Sequence, residues 1–359
     1  MPSPRLPAPA FWHGRRVFLT GHTGFKGSWL GLWLAQLGAQ VHGYALAPET
    51  EPCAFEALGT ARHVRSTLGD VRDRDALASA LRAARPEIVF HLAAQPLVLR
   101  GYREPVATFD VNLMGTVNLL EAVRTAPSVR AVVVVTTDKV YAEEPAGVPY
   151  AESDPLGGVE PYGASKACAE IAAAAYREAF LRAAHVELAT ARAGNVVGGG
   201  DWSADRLIPD LVTALHGGGT LALRHPGATR PWQHVLDPLC GYLALAEELL
   251  LRTGAARAWN FGPGLDSVAT VGTVVAMFER AWGARLESTV VPSAHHEAPR
   301  LALDAGAARQ LLGWAPRLDL AETLRWTAEW YRGFAAGFGG EDLAAEQLSR
   351  YAALLPVAA

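Results

Sequence analysis

Cysteine is scarce in this 359-residue chain: Cys53, Cys168 and Cys240 are far apart and odd in number. Neither a disulfide framework nor the paired spacing of a zinc site can be drawn from them. They read as small buried hydrophobes in a reducing compartment. An excess of positive charge is also missing, since 32 Lys and Arg face 36 Asp and Glu for a net charge of −4. That balance excludes a basic nucleic-acid face. No apolar run approaches the roughly 20 residues needed to cross a bilayer. The opening MPSPRLPAPAF has prolines where a signal peptide has its apolar stretch. Residues 1–14 are therefore expected to form a flexible arm on a cytoplasmic protein. Repeats are absent, and His295, His296 and Glu297 stand together without a further ligand at a telling spacing, so no metal site is expected.

Short β-branched runs alternate with Ala/Leu-rich helical patterns from residue 16 to about 192, which argues for a βαβ series and a parallel sheet. Strands are expected at RVFLT (16–20), AQVHGYAL (39–46), HVRSTL (63–68), EIVFHLA (87–93), RAVVVVTT (130–137) and VELATAR (186–192). The fold class is thus α/β, a Rossmann doubly wound parallel sheet. After residue 195 Gly, Pro and Trp clusters take over, as in NVVGGGDW and HPGATRPWQHVLDP. Residues 15–194 are expected to bind a dinucleotide, and 195–359 to form mainly a smaller α/β substrate domain, with some later segments returning to the first.

The first strand runs into TGHTGFKGSWL, which spaces Gly21, Gly24 and Gly27 by threes and opens a helix. Glycines there let the backbone approach a pyrophosphate lying over the helix N-terminal N–H groups. His22, Phe25 and Lys26 belong to the same turn. Where an acid holds the adenosine ribose of NAD, the chain has VHGYAL and no carboxylate until Glu49, leaving NAD and NADP open at that position. TLGDVRD ends another strand with Asp70, which can cap the helix starting near Arg72.

Tyr162 and Lys166 are four apart in EPYGASK and share a helix face. A phenol is a poor base at neutral pH, but an adjacent ammonium and a cationic nicotinamide both favour the phenolate. Tyr162 then takes the proton of a sugar hydroxyl. TTDKVY, upstream, puts Thr137, Asp138 and Lys139 at the end of a buried run.

With these segments the chain resembles the sugar-nucleotide-modifying extended short-chain dehydrogenase/reductases over nearly its whole length. Within them it most resembles the CDP-glucose 4,6-dehydratase family. FHLAAQPLV, GNVVGGGDW, DRLIPD, RPWQHVLDP and HEAPRLALD add to that likeness. The resemblance implies bound NAD, oxidation of glucose C4, loss of water across C5 and C6, and hydride return at C6, in deoxysugar and surface-polysaccharide biosynthesis. Asp70, Val71, Leu92, Ala93 and Ala94 then join the glycine turn as cofactor contacts. Thr137 becomes a partner of O4, Asp138 the acid for the departing C6 hydroxyl, and Lys139 either the base at C5 or a stabiliser of the enolate. Related dTDP-glucose enzymes carry Asp-Glu where this chain has Asp-Lys. Asn195, Arg206, Arg230, Asn260, Glu297 and Arg300 match substrate-contacting positions; arginine forks suit a diphosphate, and Glu297 is a candidate acceptor for the cytosine amino group. A homodimer or homotetramer pairing helices at about 104–125 and 160–184 is also implied. A 4-epimerase would share the glycine turn and Tyr162–Lys166 without needing Asp138, and a non-catalytic dinucleotide sensor would not need the Tyr–Lys pair.

Overall fold

The computed structural model describes residues 5–144, 147–252, 254–255, 257–292 and 295–354. In chain order its strands begin with β1 (Arg16–Thr20), β2 (Gln40–Ala45), β3 (Arg65–Leu68), β4 (Ile88–His91), β5 (Ala131–Val135) and β6 (Glu187–Ala193). They continue with β7 (Asn195–Val197), β8 (Leu221–Leu223), β9 (Thr229–His234), β10 (Ala258–Phe261), β11 (Val268–Thr270) and β12 (Ser288–Val290). All six expected strands form, each within two residues of its expected bounds. A seventh, β10, joins them in a wholly parallel sheet of order β10–β6–β5–β4–β1–β2–β3.

The sequence of each strand matches its place. AVVVV of β5 is buried along its length, as a central parallel strand covered on both faces requires. RSTL of β3 is exposed throughout and sits at the edge, where polar side chains discourage further pairing. Alternation along the strands divides the core. Val17, Leu19, Val133 and Val135 pack with Trp29, Leu236 and Leu239, while Phe18, Val132 and Val134 pack on the other face with Leu77, Leu119 and Leu181.

Helices Phe25–Gln36 and Leu236–Leu251 are apolar nearly all round and are correspondingly buried. The first of these core clusters runs from Trp12 to Tyr351, so packing is continuous between the two expected domains. A single residue separates β6 from β7, which belongs to a small sheet of order β11–β9–β7; β12 and β8 pair in another.

The expected arm is corrected for residues 5–14. Trp12 is fully buried and donates Nε1–H to Glu247 Oε1 at 2.8 Å, while Arg5 pairs with Glu247 at 2.5 Å. Glu247 lies in the interior, and a buried carboxylate needs such partners. Residues 1–4 lie outside the described residues. At the other end Tyr351 donates to Asp237 Oδ1 at 2.8 Å, which also accepts from the Arg317 backbone N–H. Among the described residues no helix is long and apolar enough to cross a membrane.

Candidate active site

Strand order reverses between β1 and β4, and a crevice opens at their carboxyl ends. Gly21 has φ 76°, and a Cβ there would lie 2.7 Å from Ala93 N and 2.8 Å from the Leu92 carbonyl carbon. A Cβ on Gly27 would come within 2.0 Å of Gly21 O. These two glycines let the turn pack against the chain leaving β4. Gly24 differs: it precedes helix Phe25–Gln36 and is exposed, so it faces the crevice with the helix N-terminal N–H groups. Ala93 N–H donates to Thr20 Oγ1, fixing the segment through Ala94 beneath the turn. Val71 packs on Gly115 at the crevice's outer side. This donor set and close backbone approach fit a dinucleotide pyrophosphate.

His22 is buried, bonded through Nε2 to Ser66 Oγ at 2.7 Å, and burial lowers its imidazole to about 4, so the ring is neutral. Asp70 accepts from the Arg72 backbone N–H and from its guanidinium, the closest contact being 2.6 Å, and this pairing holds its carboxyl low. The helix that follows starts at Arg74 and is capped by Asp73, so the capping role considered for Asp70 is corrected.

At the carboxyl end of β5, Thr137 donates to Asp138 Oδ1 at 3.1 Å. Asp138 is buried, and its Oδ2 has no partner. Helix Pro161–Tyr176, which packs beside this segment, is capped by Glu160, which accepts from the N–H groups of Tyr162 and Gly163 at 2.7 Å each. Gly163 is needed there, because a Cβ would meet Lys139 O at 2.6 Å. Lys166 donates Nζ–H to Val135 O at 2.9 Å, and burial lowers it to about 8.

Tyr162 is pushed up to about 12 by burial, with Thr137 and Arg206 pulling the other way. Arg206 is thus one cation in the cavity that favours the phenolate. Lys26 beside them is lowered to about 7 by burial first, then by Lys166 and Arg206.

One cavity brings together Phe25, Lys26, Thr137, Asp138, Lys139, Tyr162, Asn195, Arg206, Arg230 and Glu297. Two expected substrate residues are not among its lining. Asn260 lies on β10 with its side chain fully used, accepting from Tyr141 Oη and donating to Tyr150 O and Asp304 O. Arg300 is exposed; its backbone bridges to Thr229 and its side chain runs beside Gly147. Glu297 is not a free acceptor either, since Arg230 pairs with it at 3.3 Å and Arg224 at 3.7 Å.

The sequence reading also missed Arg224, Asp201, Asp205 and Asp210, which line the same cavity. For Asp210 a signal was available: it lies four positions after Arg206, one turn along a helix face. Behind the catalytic segment, Glu170 accepts from Thr136, Thr190 and Arg192, and Arg192 also donates to Tyr141.

Residues 18–327 match the family model described as GDP-mannose 4,6 dehydratase. The chain is 44% identical over 340 residues to a CDP-glucose 4,6-dehydratase of Salmonella typhimurium, covering 93% of this chain and 94% of that one. Among solved structures, a dTDP-glucose 4,6-dehydratase of Streptomyces venezuelae, a DesIV double mutant with NAD and DAU bound, superposes with a TM-score of 0.78 at 27% identity, covering 91% and 99%. A UDP-glucose 4-epimerase of Thermotoga maritima superposes at 0.79 with 23% identity, covering 89% and 99%, which reflects the shared fold.

Proposed function

The chain belongs to the GDP-mannose 4,6-dehydratase family, and from that premise we propose that it dehydrates CDP-D-glucose to CDP-4-dehydro-6-deoxy-D-glucose. The observation that carries this reading is Asp138, buried beside Thr137 with one carboxylate oxygen unpartnered, in the cavity that also holds Tyr162 and Lys139. Hydride transfer alone has no use for such an acid. Elimination needs one to protonate the departing hydroxyl.

The turn of Gly21, Gly24 and Gly27, with Asp70, would hold NAD, which when bound would supply the electron sink for C4 and the hydride for C6. The remaining work falls to side chains. Thr137 and Tyr162 hold O4, and Tyr162 takes its proton. Arg206 lies close enough to favour the phenolate. The ketone at C4 acidifies the C5 proton, Asp138 protonates the C6 hydroxyl as it leaves, and Lys139 either takes the C5 proton or steadies the charge its loss leaves. Arg206 and Arg230 hold the diphosphate, and Asn195 bonds the sugar. The protein acts as a homo-oligomer in deoxysugar synthesis.

The test is incubation with NAD and CDP-, dTDP-, UDP- and GDP-linked glucose, followed by NMR. A 4-keto-6-deoxy product from CDP-glucose is expected. Inversion at C4 without dehydration would make the protein an epimerase, and cofactor binding without turnover would make it a sensor.

A further inference from the structure

We propose that Asp210 selects the nucleotide base by reading the amino edge of cytosine. This rests on the CDP-sugar reading above.

Five carboxylates line the cavity: Asp138, Asp201, Asp205, Asp210 and Glu297. Asp138 belongs to the reaction. Asp201 pairs with Arg206 at 3.0 Å, Asp205 with Arg103 at 3.5 Å, and Glu297 with Arg230 and Arg224. Among the described residues, Asp210 alone of the outer four has no hydrogen bond or ion pair to its side chain. It is half-buried, and an unpaired carboxylate held there waits for a donor.

Its position places that donor. Asp210 lies in the first turn of helix Leu207–Gly217, one turn beyond the diphosphate candidate Arg206. Its charged neighbours are Asp205, Arg224 and Asp201, whereas those of Tyr162 are Arg206, Asp138 and Glu160. Asp210 shares none of these neighbours with Tyr162, and a base bound beyond the Arg206 diphosphate site would lie on its side. Leu207, Leu221, Leu223 and Val271 line the cavity as well and offer a flat base an apolar wall.

The chemistry then discriminates. Cytosine presents an amino donor at C4 beside the N3 acceptor, and Asp is a matching acceptor for that amino group. Uracil and thymine present a carbonyl at C4, which would face the carboxylate oxygen with no proton between them. Burial, with Asp205 and Asp201 nearby, raises Asp210 to about 6 against the pull of Arg224. Near neutrality the acid is therefore mostly ionised and accepts from the cytosine amino group.

The experiment measures dissociation constants of CDP, UDP, dTDP and GDP for the NAD-loaded protein, Asp210→Asn and Asp210→Leu, by calorimetry. The Asn amide offers a donor and an acceptor to either pyrimidine, so the CDP-over-UDP preference should fall by roughly tenfold or more. Asp210→Leu should weaken CDP more than UDP. Both variants should melt like the parent, because Asp210 holds no other group. An unchanged ratio in both variants overturns the proposal. So does a parent that prefers GDP, whose N1–H and C2 amino group a carboxylate also accepts, or one that does not prefer CDP. Turnover of CDP-glucose by the parent separates the two claims. Dehydration with an unchanged ratio removes the base-reading role alone; no dehydration removes the functional reading and this one with it.

Discussion

In the proposed reaction Asp138 gives a proton to the leaving hydroxyl, a task that its Thr137 and Tyr162 neighbours do not take over. Asparagine keeps the oxygen that accepts from Thr137 but has no acidic proton. Asp138→Asn should lower dehydration by about 10²–10⁴-fold, while oxidation at C4 still registers as a rise in reduced-nicotinamide absorbance when substrate is added. Equal loss of both would make Asp138 a structural residue. Lys139→Met divides its two candidate roles: if the C5 proton of the bound ketone still exchanges with solvent, Lys139 is not the base. The expected residues that the fold positions by local chain order share a property. Gly21, Thr137 and Asp138 follow a strand end, and Gly27 and Tyr162 lie in the first turn of a helix, so their placement follows from chain order. What sequence could not show is how Asn260 and Glu297 are engaged, since their partners, Tyr141, Tyr150, Arg224 and Arg230, come from distant segments. No spacing records such pairings.

The elements most visible beforehand were those with a continuous signal. VVVV announces a covered strand, and the glycine turn followed by an apolar run announces its helix. β10 escaped because AWNF, set among glycines, looks like loop; it becomes a strand by pairing with β6. Elements are also tied by buried charge. Arg192 and Glu170 are 3% and 4% exposed, and they join β6, the Tyr162 helix and Thr136. Arg192→Met strands the Glu170 charge and should cost about 3–5 kcal/mol in urea unfolding, with much of that recovered by adding Glu170→Gln. A second tie is titratable. Burial raises Asp237 from 3.8 to about 7. The native state therefore binds the proton more tightly than the unfolded chain does. Its stabilising effect is complete below the unfolded value near 3.8 and is lost as pH climbs towards 7. Asp237→Asn should flatten the fall in Tm across that window, and a parallel fall in both proteins would assign it elsewhere.

For the whole molecule, some of the exposed apolar side chains lie where an interface is proposed. Val106 is 81% exposed, Met114 44%, Ile171 60% and Phe180 45%, all on the two helical stretches expected to pair between copies. Ile171→Glu should shift the protein to monomer in sedimentation velocity without changing its melting; a species unchanged in mass would place the contact elsewhere. The docked residues 5–14 and the C-terminal Tyr351 were illegible for a common reason: both depend on acids of one buried helix, Glu247 and Asp237, which local sequence cannot connect to them. The late strand β10 has a further consequence, for synthesis. When β6 has left the ribosome, the segment that will cover its free edge, Ala258–Phe261, has not yet been translated. Until it arrives, Leu188, Ala189 and Ala191 flank an open row of backbone donors and acceptors. The nascent chain must wait with its cofactor half unfinished, and in that interval chaperones and neighbouring nascent chains compete for the edge that β10 will close.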